Sequence, residues 1–350
     1  MMRLHFANPV CGSACLAFLL LTLSPFTMVQ SPSDYESAVA AFNAGDYSAA
    51  EILFAKTEAA SPGSTDALLY EAKCMIQLQQ FVDADKTLRD YLAHHPESPE
   101  ALYLLGFVLH RENKPAESLA IYTKAAVRKP PGGDDLKIVG LDYVLLNDYA
   151  DAIKWLEKAV EMEPRNEEAW YFLGRAYYTK SRLPEAKKAF RTVLDLNPRH
   201  AKAENSLGLI FEAEAQPSEA LQSYRNAIEW QAQSNHPSEQ PYLNLGSLLM
   251  EQNRTEEAVA SLERAVQLAP GNGLCHLKLG TALLRLAKLK EAQRELEEAT
   301  RLEPENPAAH YQLGRLYKQV KAMDRAKAEF DRAGEIHSRE ASTKPRSPQP

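Results

Sequence analysis

The chain of 350 residues carries 47 acidic against 40 basic side chains, a formal net charge of −7, and nowhere gathers its basic residues into a stripe. That excludes broad binding to a phosphate backbone, which needs clustered Lys and Arg to release counterions. Glycine is sparse at 15, Ala, Leu, Glu and Lys dominate, and β-branched runs bounded by turn residues are lacking, so the composition excludes an all-β chain and favours helices throughout.

At the N-terminus, Arg3 and His5 precede an apolar run from Val10 to Leu23; Pro25 follows, and polar sequence begins at Gln30. The run is short for a bilayer and no stop-transfer segment follows it. Residues 1–30 therefore read as a signal peptide, with an uncleaved N-terminal anchor as the alternative. The first reading implies export, periplasmic or extracellular, to the cell envelope or beyond. The second implies a chain anchored by this segment, the only membrane association expected. Cys11 and Cys15 fall within it, leaving Cys74 and Cys275 far apart along the chain. These two are expected as small buried hydrophobes, with no bridge between them.

From residue 31 the sequence repeats. Gly106, Gly140, Gly174 and Gly208 are spaced by 34, and Gly246, Gly280 and Gly314 resume that spacing after one step of 38. Ala50, Ala84, Ala152, Ala186, Ala220, Ala258, Ala292 and Ala326 hold a second position, with Ser118 as the substitute. Four residues on stands an aromatic or leucine, and Pro62, Pro96, Pro130, Pro164, Pro198, Pro270 and Pro304 punctuate the period. This register gives nine units, starting near Ser31, Thr65, Pro99, Gly133, Glu167, Ala201, Glu239, Gly273 and Pro307.

Each unit predicts two helices and a turn. The glycine on the first helix and the alanine on the second are expected to face each other, so that the backbones approach, while the proline ends the second helix. Such a unit cannot bury its own apolar face and must stack on copies of itself. The first two units diverge most, as terminal repeats do, although Gly45-Asp46-Tyr47 marks the turn of the first. Pro130-Pro131-Gly132-Gly133 is a turn signal that leaves the register unchanged. Between Trp230 and Ser238 four residues are added and the proline is missing, at Ala232. That insertion is either a kink dividing six repeats from three or a lengthened helix or loop that the stack tolerates. Residues 341–350 lack apolar bulk and are expected as a disordered tail after an array spanning 31–340.

One unit, Glu167 to Pro198, carries Trp170, Leu173, Gly174, Tyr177, Ala186, Phe190 and Pro198 in the order W-x2-L-G-x2-Y, A-x3-F, P. With its eight weaker copies it resembles the tetratricopeptide-repeat family. The resemblance implies an all-α fold, a right-handed superhelical α-solenoid of about nine helix-turn-helix repeats. Its concave wall is lined by the first helices and holds extended peptides or partner segments.

Carried onto this sequence, the concave positions are the second, fifth, ninth, twelfth and thirteenth of each unit. They select Lys137, Tyr171, Arg175, Tyr178 and Asn205 as one section of groove, with Tyr103 and Arg111 before it and Tyr311 and Arg315 near the end. Phe107, His110, Glu168, Thr179, Lys202 and Lys318 occupy the same set of positions. Rings beside guanidinium or ammonium groups suit a peptide, because aromatics give rigid contact area and Arg grips carboxylates. No Gly-rich phosphate loop, GxSxG, Cys/His cluster or His paired with Ser or Cys occurs, so no catalysis, cofactor, metal or small-molecule substrate is expected. The expected function is a non-enzymatic scaffold or assembly factor that binds a protein or peptide and no nucleic acid. The alternatives are an accessory subunit presenting substrate to a separate enzyme, and a self-associating structural protein.

Overall fold

The computed structural model describes residues 33–63 and 66–343. The expected leader and most of the expected tail lie outside the described residues. The described residues form eighteen helices and no strand. They belong to two units, one up to Leu78 and one from Gln79 on.

The first unit holds α1 (Asp34–Asn43), α2 (Tyr47–Ala60) and α3 (Ala67–Gln77). α1 starts at a capping box, Ser33 accepting from the Glu36 amide while the Glu36 carboxylate accepts from the Ser33 amide. Ala38, Ala50, Phe54, Ala67 and Cys74 form its core. Phe54 stacks on Tyr70 with ring centroids 5.3 Å apart, and Tyr35 meets both rings edge-on.

The second unit begins with α4 (Phe81–His94), α5 (Pro99–Arg111), α6 (Pro115–Ala126), α7 (Gly133–Leu145), α8 (Tyr149–Met162), α9 (Glu167–Thr179) and α10 (Leu183–Leu196). It continues through α11 (Ala201–Ala213), α12 (Pro217–Gln231), α13 (Gln240–Glu251), α14 (Thr255–Leu268), α15 (Gly273–Arg285), α16 (Leu289–Leu302), α17 (Pro307–Gln319) and α18 (Met323–Thr343). From α5 on, each odd-numbered helix forms a hairpin with the helix after it, and each even-numbered helix packs against the next hairpin. The odd-numbered helices also touch one another in sequence, α5 to α7 to α9 and on to α17. One wall of the stack is therefore made of first helices, as the resemblance implies. α18 runs three residues into the segment expected as tail.

The hairpin turns follow one rule. The residue at position fifteen has positive φ in every repeat: Gly45 in the first, and Gln79, Asn113, Asn147, Ser181, Ala215, Asn253, Ala287 and Lys321 in the others. At Asn147 the amide reaches Val144 O at 3.0 Å and the Asp148 amide reaches Tyr143 O at 2.9 Å. These are the paired bonds of a Schellman motif, which satisfy the last carbonyls of the helix.

The alanine position does lie against the glycine, as Ser118 Oγ donating to Gly106 O at 2.8 Å shows, but a different side chain fills the space that the glycine leaves. A Cβ on Gly174 would lie 2.8 Å from Phe190, one on Gly140 2.6 Å from Leu156, and one on Gly208 2.4 Å from Tyr224. The glycine makes room for the large side chain four residues after the alanine. That side chain is the one that crosses the helix, and Phe190, Leu156 and Tyr224 are almost fully buried. Burying one such side chain is worth roughly 1.5–3 kcal/mol.

The insertion after Trp230 becomes a longer α12 and a loop to Ser238. Gln231 closes it with two hydrogen bonds, donating to Ser238 O at 2.8 Å and accepting from the Ser238 amide at 2.9 Å. An apolar core runs from Ala220 and Tyr224 through Leu243 to Ala326, so the packing continues across the insertion. Cys74 and Cys275 are free and buried, and burial pushes each thiol up to about 11. Among the described residues no helix is long and apolar enough to cross a membrane.

Candidate functional site

Side chains from α5, α7 and α9 bound a cavity of about 660 Å³. Phe107, His110 and Arg111 come from α5, Lys137, Ile138 and Leu141 from α7, and Glu168, Phe172 and Arg175 from α9. A second cavity of about 260 Å³ lies between α9, α11 and the insertion, lined by Tyr171, Arg175, Lys202, Asn205, Gln231 and Ser238 among others. Phe172 and Arg175 line both, so the two cavities are neighbouring sections of one groove.

The periodicity explains why these residues converge. In a first helix, positions two, five and nine lie on one face, and sequence-adjacent repeats present that face side by side. The same reasoning missed position six, where Ile138 and Phe172 supply apolar floor. It also missed Gln231 and Ser238, which reach the groove only because the insertion folds back on α12.

The groove's charges are unequally satisfied. Lys137 Nζ lies 2.9 Å from Glu168 Oε2 and 3.0 Å from Asp134 Oδ1. Burial works against its charge, but these carboxylates outweigh burial and hold the ammonium above its usual value. Arg111 instead lies over the Phe81 and Phe107 rings, 4.5 and 5.8 Å from their centroids. Arg175 sits 6.0 Å from the Tyr171 ring and 5.7 Å from the Phe172 ring. Neither guanidinium has a carboxylate partner among the described residues, and stacking on rings leaves the edge donors of an Arg available. Burial pushes the Tyr171 hydroxyl up, while Arg175 and a hydrogen bond to Ser206 pull the other way. Asn205 Oδ1 accepts from Asn244 Nδ2 at 3.0 Å, which fixes its amide and ties α11 to α13.

Four candidates stand apart from this section. The Tyr103 hydroxyl donates to Lys129 O at 2.5 Å and its ring packs on Tyr122, so it braces the α6–α7 connection. Tyr178 is half-buried against the core of α9–α11 and lines neither cavity. Tyr311 and Arg315 line a separate cavity of about 480 Å³ with Lys318 and Phe330. The section brought together is thus Arg111, Lys137, Tyr171, Arg175 and Asn205.

A fourth, apolar crevice of about 380 Å³ opens between α6, α7 and α8, bounded by Tyr122, Val127, Leu136, Tyr143 and Trp155. The corresponding crevice one repeat on holds about 190 Å³ and is filled by Trp170, whose Nε1 donates to Pro164 O at 2.9 Å. Leu136 stands where Trp170 would, and α6 ends four residues before Pro130 instead of two, leaving Val127 78% exposed.

A sequence profile of the tetratricopeptide repeat matches residues 41–106, 143–210, 249–301 and 283–341, more than half of the chain. The chain belongs to the tetratricopeptide-repeat family. Among solved structures, this tetratricopeptide-repeat array is similar to the APC/C hetero-tetramer Cut9–Hcn1. Identity there is 16% and the TM-score 0.59, over 80% of this chain and 54% of that one, so the array spans about half that protein's length. It is also similar to a tetratricopeptide repeat protein from Parabacteroides merdae, at 17% identity and a TM-score of 0.57, over 72% of this chain and 97% of that one. PilF of Pseudomonas aeruginosa is 20% identical, with a TM-score of 0.52 over 56% of this chain and 88% of that one. At these identities the likeness is one of fold. No curated protein sequence matches the chain.

Proposed function

We propose that this tetratricopeptide-repeat chain is a scaffold that holds an extended segment of a protein partner in the groove between α5 and α13. The observation that carries the reading is the sharing of Phe172 and Arg175 by two adjacent cavities. A run of groove with aromatic floor and free guanidinium edges suits a peptide with alternating apolar and polar contacts. The chain's part is to bind and position; the chemistry, if any follows, belongs to what it holds. Residues 1–30 fit a secretory leader by their sequence, with an uncleaved anchor as the alternative, and this supports the proposal that the scaffold works outside the cytoplasm; determining the N-terminal residue of the mature protein tests it.

The groove is tested by cross-linking in the native cell, identification of the captured partner, and repetition with Tyr171→Ala combined with Arg175→Glu. The expected result is loss of capture with helicity unchanged by circular dichroism. Undiminished capture by that variant would refute the groove as the binding surface.

A further inference from the structure

Position ten of the first helix is an apolar core position throughout the second unit: Val108, Ala176, Ile210, Leu248, Ala282 and Leu316 are all buried there. In α7 this position is Asp142, at 0% exposure. Its Oδ1 lies 2.7 Å from His110 Nδ1 on the neighbouring helix α5, and its Oδ2 has no hydrogen-bond partner. A buried carboxylate held by a single partner costs stability compared with the alanine or valine of the other repeats. With the carboxylate as acceptor, the proton sits on Nδ1, and the ring is fixed with Nε2 on the other side. His110 lines the larger groove cavity, and its Nε2 has no partner among the described residues.

The rest of that cavity's charge is one-sided. Arg111 and Arg175 lack carboxylate partners among the described residues, whereas Lys137 and the acidic lining residue, Glu168, are already paired with each other. We propose that the cavity between α5, α7 and α9 recognises an acidic stretch of peptide, with His110 as a contact residue and Asp142 as its positioning residue. The arginines take side-chain carboxylates, and His110 Nε2, the unprotonated ring nitrogen, accepts from a backbone amide of the ligand at a fixed direction. This rests on the groove being the ligand site, and it names the ligand's chemistry, a role for His110 at its concave position, and one residue, Asp142, that the repeat pattern alone does not select.

The test is a fluorescence-anisotropy titration of the full chain with a labelled hexaglutamate peptide, alongside hexalysine and a phosphoserine peptide. His110→Gln and Asp142→Ala are each expected to weaken hexaglutamate binding by about tenfold, the scale of one sheltered hydrogen bond. Alanine is already the residue at this position in α9 and α15. Asp142→Asn, which keeps an acceptor for the ring, should recover part of the loss, and the His110 ring resonances should move on adding peptide to the wild type. Suppose hexaglutamate binds and Arg175→Glu abolishes binding, but the His110 and Asp142 variants bind like wild type. The groove then stands and the roles of His110 and Asp142 fall, leaving the pair a purely structural contact. If no peptide binds, or only hexalysine or the phosphoserine peptide does, the carboxylate-rich class is wrong, and partner capture still decides the groove independently. Should Asp142→Ala lose helicity, His110→Gln, altered at the cavity edge, carries the comparison.

Discussion

Ala287 holds φ at 55°, a conformation that its Cβ opposes and that glycine adopts freely. The Schellman turn imposes it, since the Lys288 amide must reach Leu283 O. Ala287→Gly is therefore expected to stabilise the array by about 0.5–1 kcal/mol, the strain relieved less the added freedom of the unfolded chain. A thermal midpoint that stays put or falls would contradict this. Glu71 in α3 is a second strained residue: burial, then the carboxylates of Glu51 and Glu58, push its carboxyl from 4.5 up to about 7. Between those values the folded chain keeps a proton that the unfolded chain has released, so stability falls as pH rises through the window. The thermal midpoint should be lower at about pH 8 than at about pH 5, and Glu71→Gln should shrink that difference. An unchanged difference in the variant would remove Glu71 as its cause.

At the scale of elements, the hairpin between α7 and α8 is the least completely packed against its predecessor. Leu136→Trp should fill the crevice there and place an indole N–H near Pro130 O, as Trp170 does for Pro164 in the next repeat. Cavity filling of this kind yields roughly 0.5–2 kcal/mol, read as a higher midpoint in denaturant. A lower midpoint would mean that the crevice cannot accept the ring. The helices themselves were legible in sequence, because Gly174, Ala186 and Phe190 recur at one spacing, and each recurrence reports the same packing need. Which side chain fills the space over the glycine was not legible. Alanine and Phe190 share one side of α10, and only the crossing geometry decides which of them passes over Gly174.

For the whole molecule the pattern that announces the fold is silent about the groove, since packing residues repeat and ligand-facing residues do not. Arg175 and Lys137 could be placed on the wall by counting positions, yet counting also selected Tyr103 and Tyr178, which the packing draws into structural contacts. Asp142 had a signal of its own, an acid in a column of apolar residues, which reading down position ten would have found. Gln231 and Ser238 had none, because their place depends on how an irregular loop closes.

The sharing of Arg175 by two cavities has a further consequence for ligand length. A segment short enough to fill one cavity competes with every other such segment for the same guanidinium. One long enough to span both is tethered by its first contact when it makes its second, so the second occurs at high effective concentration. Affinity should then rise abruptly with length instead of in proportion to it, and the array would discriminate among partners by their reach as well as by their charge.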